Sequence, residues 1–210
     1  MEDRKKTNDS QRIHTRLRKN FNLITNITSI SIVLAIILIV FTSVQFNHSL
    51  KSYGFIQGDI GKAMTVFADS RSALRAVIGY LDAGSISEQQ EIYFDKRDSF
   101  TTYFNSITEQ CNYSEAKKIC DNISSVIDDY WTLSDEIIRQ GATSDVNASN
   151  NAQRLEMNKL TPEYDTIYGY MKQLMDCYVT KGNAYKRQLN IIEFVCIAVI
   201  LLLIAATRLQ

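Results

Sequence analysis

The chain has 210 residues, 45% of them hydrophobic, with a single proline and a formal net charge of zero. That balance hides a split: residues 1–20 sum to +4, while residues 45–190 hold 15 basic and 19 acidic side chains, a net of −4. So acidic a segment lacks the basic face that neutralising phosphates requires, which excludes a nucleic-acid partner.

Seven basic side chains (Arg4, Lys5, Lys6, Arg12, Arg16, Arg18, Lys19) stand in residues 1–20, ahead of an apolar run over residues 21–44. About 20 helical residues cross a hydrocarbon core of ~30 Å, so this run is expected to span a membrane. It is longer than the apolar stretch of a secretory signal, and Thr42-Ser43-Val44-Gln45 is a poor cleavage site. The positive-inside bias places the N-terminus in the cytoplasm, where the basic tail also suits anionic lipid. A second apolar run, residues 191–207, returns the chain, so residues 45–190 are expected outside the cytoplasm. Arg208-Leu209-Gln210 reads as the start of a cytoplasmic region continuing in a longer receptor.

Residues 45–190 carry the patterns of helices. Leu50, Tyr53, Ile60, Met64, Phe67, Leu74, Ile78 and Leu81 follow a seven-residue repeat that flows out of the first span, predicting one helix to about Ala83, broken at Gly84-Ser85. Tyr93, Phe100, Tyr103, Phe104 and Ile107 mark a second helix to about Gln110. Asn112 and Glu115 form a capping-box pattern for a third, whose stripe is Ala116, Ile119, Ile123, Val126, Ile127, Tyr130, Leu133 and Ile137, ending near Gly141. The polar stretch 142–151 reads as a loop followed by a short helix. Thr161-Pro162-Glu163 predicts the start of a fourth helix, whose stripe (Tyr164, Ile167, Tyr168, Met171, Leu174, Met175, Tyr178, Tyr185, Leu189) runs into the second span. Four amphipathic helices joined by short turns predict an all-α fold: an antiparallel up-down-up-down bundle outside the cytoplasm, flanked by two transmembrane helices.

No catalytic constellation emerges. His14 and His48 fall on opposite sides of the first span, and neither a phosphate-cradling glycine loop nor metal-ligand spacing occurs, so no enzyme, cofactor or metal is expected. Cys111 and Cys120 lie in a compartment where thiols oxidise. A helix starting near Tyr113 puts Cys120 about two turns past the connection, against the ~7 Å Cα separation a disulfide tolerates, and the question stays open. Arg71 falls in the heptad frame of Leu50, Met64 and Ile78, with Arg75 one turn on. A cation on a packed stripe must be satisfied, either by gripping an anionic ligand or by an internal ion pair. Gly54, Gly61 and Ala68 repeat every seven residues, offering a dimer seam or close packing within one subunit.

The segments YGFIQGDIGKAM (53–64), FADSRSALRAVIGYLD (67–82) and LTPEYDTIYGYMKQLMD (160–176), set between a basic tail, a span and a returning span, resemble the N-terminal half of bacterial methyl-accepting chemotaxis receptors. The resemblance implies a homodimer whose first and last bundle helices frame a pocket for an extracellular small molecule or solute-binding protein, with Arg71 and Arg75 as candidate ligand contacts. It also implies a signal carried by displacement of the last helix to cytoplasmic partners, through a region beyond this chain. The same sensor on a histidine kinase or nucleotide cyclase, and a two-pass scaffold without ligand, are the alternatives.

Overall fold

The computed structural model describes the backbone of residues 2–208 and the side chains of residues 15–205. The expected roles of His14 and of residues 208–210 therefore fall outside the described side chains. Its elements are α1 (Glu2–Ser49), a π-helical turn (Leu50–Gly54), α2 (Phe55–Gly79), α3 (Ala83–Gln110), α4 (Ser114–Gly141), α5 (Val146–Leu155), a second π-helical turn (Glu156–Leu160) and α6 (Thr161–Arg208). No strand occurs among the described residues, as an all-α chain requires. Two compact units result: Leu50–Asn183, and Met1–Ser49 together with Ala184–Gln210.

In the first unit, α2 buries Ile56, Ile60, Ala63, Phe67, Ser70, Leu74 and Val77, spaced alternately four and three residues apart. That is a heptad seam, and it shares Ile60, Phe67 and Leu74 with the pattern expected from sequence. Ile78 is also buried as expected and Met64 packs against the core, whereas Leu50 and Leu81 at the two ends of the pattern are exposed and Arg71 sits beside the seam rather than on it. Phe67 is the hub. Its ring lies 5.1 Å from Phe100 of α3, 5.0 Å from Tyr130 and 5.7 Å from Trp131 of α4, and 4.9 Å from Tyr164 of α6. One side chain thus joins four helices, and such aromatic pairs add roughly 0.5–1.5 kcal/mol each beyond the area they bury.

The contacts run in a consistent order. Rising numbers in α2 meet falling numbers in α3 (Asp59 with Ser106, Phe67 with Phe100) and in α6 (Gln57 with Tyr178, Arg71 with Thr161). Between α3 and α4, Arg97 grips both carboxylate oxygens of Asp135 at 3.0 and 2.8 Å, and Cys111 meets Cys120.

Four expected boundaries are corrected. α2 stops at Gly79, and Asp82 caps α3 by accepting from the Ser85 N–H at 2.8 Å, so Gly84 and Ser85 lie in the first turn of a helix instead of breaking one. The Asp82 cap outweighs the cost of a glycine in that turn. Tyr113 precedes α4 without a side-chain cap, so the Asn112/Glu115 box does not form. α6 does begin at Thr161, as expected, but Thr161 has helical dihedrals (φ −57°, ψ −47°) and is no cap, because the π-helical turn leads straight into it. Pro162 lacks an N–H and its ring would collide with the carbonyl four residues back in a regular α-helix; the wider turn just before it relieves that conflict. The stretch 142–151 is loop only as far as Asp145, which caps α5 through the Asn147 N–H at 2.9 Å.

In the second unit, the runs 21–44 and 191–207 lie in two helices long and apolar enough to cross a membrane. Many of their described side chains point outward, Phe21 being 69% exposed, Ile39 68%, Phe194 74% and Leu202 70%, while Ser31 is buried. Thr25, Thr28, Ser31 and Thr42 turn their hydroxyls back onto carbonyls one turn earlier in the same helix, which satisfies them without water. Tyr185 donates to Gln45, and its ring lies 5.8 Å from that of His48.

Candidate functional site

The densest charged cluster of the Leu50–Asn183 unit forms around Glu156. This carboxylate is only 2% exposed, and the wide turn Glu156–Leu160 carries it inward. A buried carboxylate must be paired and hydrogen-bonded. Three donors converge on its Oε1: Arg71 Nε at 3.2 Å, Arg75 Nε at 2.8 Å and the Thr161 hydroxyl at 3.2 Å. The two arginines sit four apart on α2, one helical turn, so both reach the same oxygen.

Arg71 is further fixed. Its Nη2 donates to the Thr161 hydroxyl at 2.7 Å, its Nη1 lies 3.9 Å from exposed Asp165, and its guanidinium covers the Tyr164 ring at 4.1 Å. Tyr164 is itself stacked on Phe67 with planes 6° apart, so the cation rests on a packed aromatic column. Burial pushes the Tyr164 phenol above its ordinary value, which keeps the ring a neutral platform. Of the two fates open to Arg71, the internal ion pair is the one observed, and its side chain is only 13% exposed.

Arg75 differs. Half of its side chain is exposed, and its ion pair is with Glu156, through Nε. It borders an open groove of about 340 Å³ lined also by Ile78, Gly79, Gln153, Glu156 and Met157. Glu156 and Asp165 balance the two guanidiniums in formal charge, so what the groove offers is the exposed half of Arg75, a planar donor of the kind that suits a small carboxylate or phosphate.

The expected seam residues separate. Gly61 takes the Met175 methyl of α6 at a distance of 3.8 Å from where a Cβ would stand, close packing within one chain. Gly54 ends the first π-helical turn beside Leu50, and Ala68 is half-buried. A closer approach of the same two helices, at Gly182 against Tyr53 and Gln57 (3.3 and 3.4 Å), had no sequence signal beyond the glycine itself. Glu156 and Thr161 were likewise missed as site residues: Glu156 sits in a polar stretch, and Thr161 read as a cap. Among the described residues no group of three or more His, Cys, Asp or Glu side chains is arranged to hold a metal.

Comparison with protein-family models, curated proteins and solved structures found no match. The chemoreceptor resemblance therefore stands on the residues of this chain alone.

Proposed function

We propose that the chain is the sensory module of a bacterial transmembrane chemoreceptor of the methyl-accepting type. Residues 21–44 and 191–207 span the cell membrane, both termini are cytoplasmic, and the intervening helices form an antiparallel up-down-up-down bundle that detects an extracellular small molecule or solute-binding protein. The observation that carries this reading is the contrast in burial: α2, α3, α4 and residues 161–178 of α6 bury their apolar stripes, whereas residues 21–44 and 191–207 leave theirs outward. A helix that is apolar on every side and turns only one face to the other apolar run belongs, with its remaining faces, in lipid. The opposed order of contacts supports antiparallel neighbours, and the basic tail supports the orientation.

The groove beside Arg75 receives the ligand, and α6 carries the response. A ligand that touches α6 differently in two positions biases their populations by its differential affinity, and packed helices shift by ~1–2 Å. Met171 and Met175 face the core on α6, and flexible thioethers tolerate such repacking. The receptor acts as a homodimer, with Gly54 and Ala68 of the candidate seam left for it, since Gly61 packs on Met175 within the chain. One observation favours the scaffold alternative: Arg71 is already fully engaged within the chain.

Topology is tested by single cysteines in a cysteine-free background labelled with an impermeant maleimide on intact cells. Ser87→Cys reacts and Arg16→Cys does not; reaction of both, or of Arg16→Cys alone, overturns the two-span reading. Ligand contact is tested by thermal shift of the full chain in detergent against amino acids, dicarboxylates and phosphate. A compound that raises the melting temperature of the parent leaves Arg75→Ala unmoved; equal shifts in both displace the ligand from the groove.

A further inference from the structure

The turn between α3 and α4 brings together two cysteines nine positions apart. Cys111 closes α3 with an extended backbone (φ −64°, ψ 109°), which swings its side chain back toward Cys120 on the second turn of α4. The sulfurs are 3.4 Å apart and both residues are buried, 4% and 1% exposed. A disulfide needs about 2.05 Å between sulfurs, so closing the pair takes a movement of roughly 1.4 Å. The separation expected from helix geometry is thus corrected: a connection as short as Asn112-Tyr113 folds the end of one helix onto the side of the next.

The pair is also chemically unequal. Either sulfur could donate in the contact between them; hydrogen bonding from Cys120 holds the Cys111 thiol below the ordinary cysteine value, aided by the Tyr178 hydroxyl, 3.4 Å from the Cys111 sulfur. The same bond, with burial, pushes the Cys120 thiol up. One sulfur is therefore the readier nucleophile and the other keeps its proton until needed.

We propose that Cys111 and Cys120 are an oxidisable pair that closes to an intramolecular disulfide by exchange with a disulfide-bearing oxidant. The Cys111 thiolate attacks one sulfur of the oxidant, forming a mixed disulfide and expelling the first thiolate. Cys120 then gives up its proton and attacks the Cys111 sulfur, expelling the second. Two protein thiols are oxidised by two electrons, one external disulfide is reduced to two thiols, and the two protons pass to the leaving thiolates. Because both sulfurs are buried, exchange proceeds while the α3–α4 turn is open, during folding or local unfolding. This goes beyond the sensory reading and does not depend on it.

The full chain in detergent is equilibrated with oxidised and reduced glutathione, both folded and during refolding from denaturant. It is then acid-quenched, alkylated in denaturant and digested with trypsin, which cuts at Lys117 and Lys118 and so separates the two cysteines into different peptides. In oxidising mixtures Cys111 and Cys120 lose alkylation together and appear as one linked pair of peptides, while Cys177 and Cys196 stay alkylated; dithiothreitol reverses this. Cys120→Ser leaves Cys111 alkylated or carrying glutathione. Full alkylation of all four cysteines even after oxidative refolding, or a link from either residue to Cys177, overturns the proposal.

Discussion

The unit Leu50–Asn183 and the two apolar runs outside it use the same kinds of side chain to opposite ends. Ile60, Phe67 and Leu74 have no exposed surface, whereas Ile39, Phe194 and Leu202 are 68%, 74% and 70% exposed. The difference lies in pattern, not in amount. An apolar residue recurring every three or four positions finds its neighbour within the chain, while a run apolar on every side cannot bury all its faces against one neighbouring helix.

Truncating one residue of each kind is the strongest way to break that comparison. Phe67→Ala removes the ring shared by four helices and is expected to cost about 3–5 kcal/mol. Ile39→Ala is expected to change stability by no more than ~0.5 kcal/mol. Near-ultraviolet circular dichroism during thermal unfolding of the full chain in detergent reads both, and equal losses would erase the distinction.

A smaller effect sharpens it by asking what charge does among buried apolar groups. Glu156→Ala strands two guanidiniums and is expected to cost about 3 kcal/mol, the low end for a broken buried pair because Arg75 is half exposed. Glu156→Leu combined with Arg71→Met should recover part of that loss in the same unfolding assay. No recovery would mean that the cost is packing and not unpaired charge.

The smallest effect is a pH dependence. Burial, followed by the neighbouring Asp129 carboxylate, raises the pKa of Glu163 above its ordinary 4.5. Its proton is held more tightly in the folded chain, so the stabilisation from protonation is fully present below the ordinary value and is lost as pH rises through the folded one. Glu163→Gln should melt above the parent at about pH 7, the gap closing by about pH 4. A gap independent of pH would remove the carboxylate from the explanation.

Much of the fold was legible because bulky apolar residues announce their own burial. Tyr93, Phe100, Ile123, Ile137 and Ile167 all lie where their periodicity put them. The seam of α2 was harder. Ala63 and Ser70 are buried because the large rings of neighbouring helices fill the space, and a small residue carries no signal of that in a single sequence. The site was half legible: the place of Arg71 on the stripe pointed to an anionic partner for it, but that partner sits in an irregular turn 81 positions beyond Arg75. The break expected at Gly84-Ser85 failed for want of one hydrogen bond in the reckoning: Asp82 caps α3 ahead of both residues, through the Ser85 N–H.

The wide turn at Glu156–Leu160 holds one residue more than an α-turn of the same height. In a 3.6-residue helix a single residue amounts to about 100° of phase. The surplus residue therefore clocks Ile167, Met171, Leu174 and Tyr178 to the azimuth at which they meet the core, while leaving Glu156 aimed at its arginines. Deleting one residue there would rotate that whole stripe by more than a quarter turn and set its apolar side chains facing water, although no contact residue had been changed.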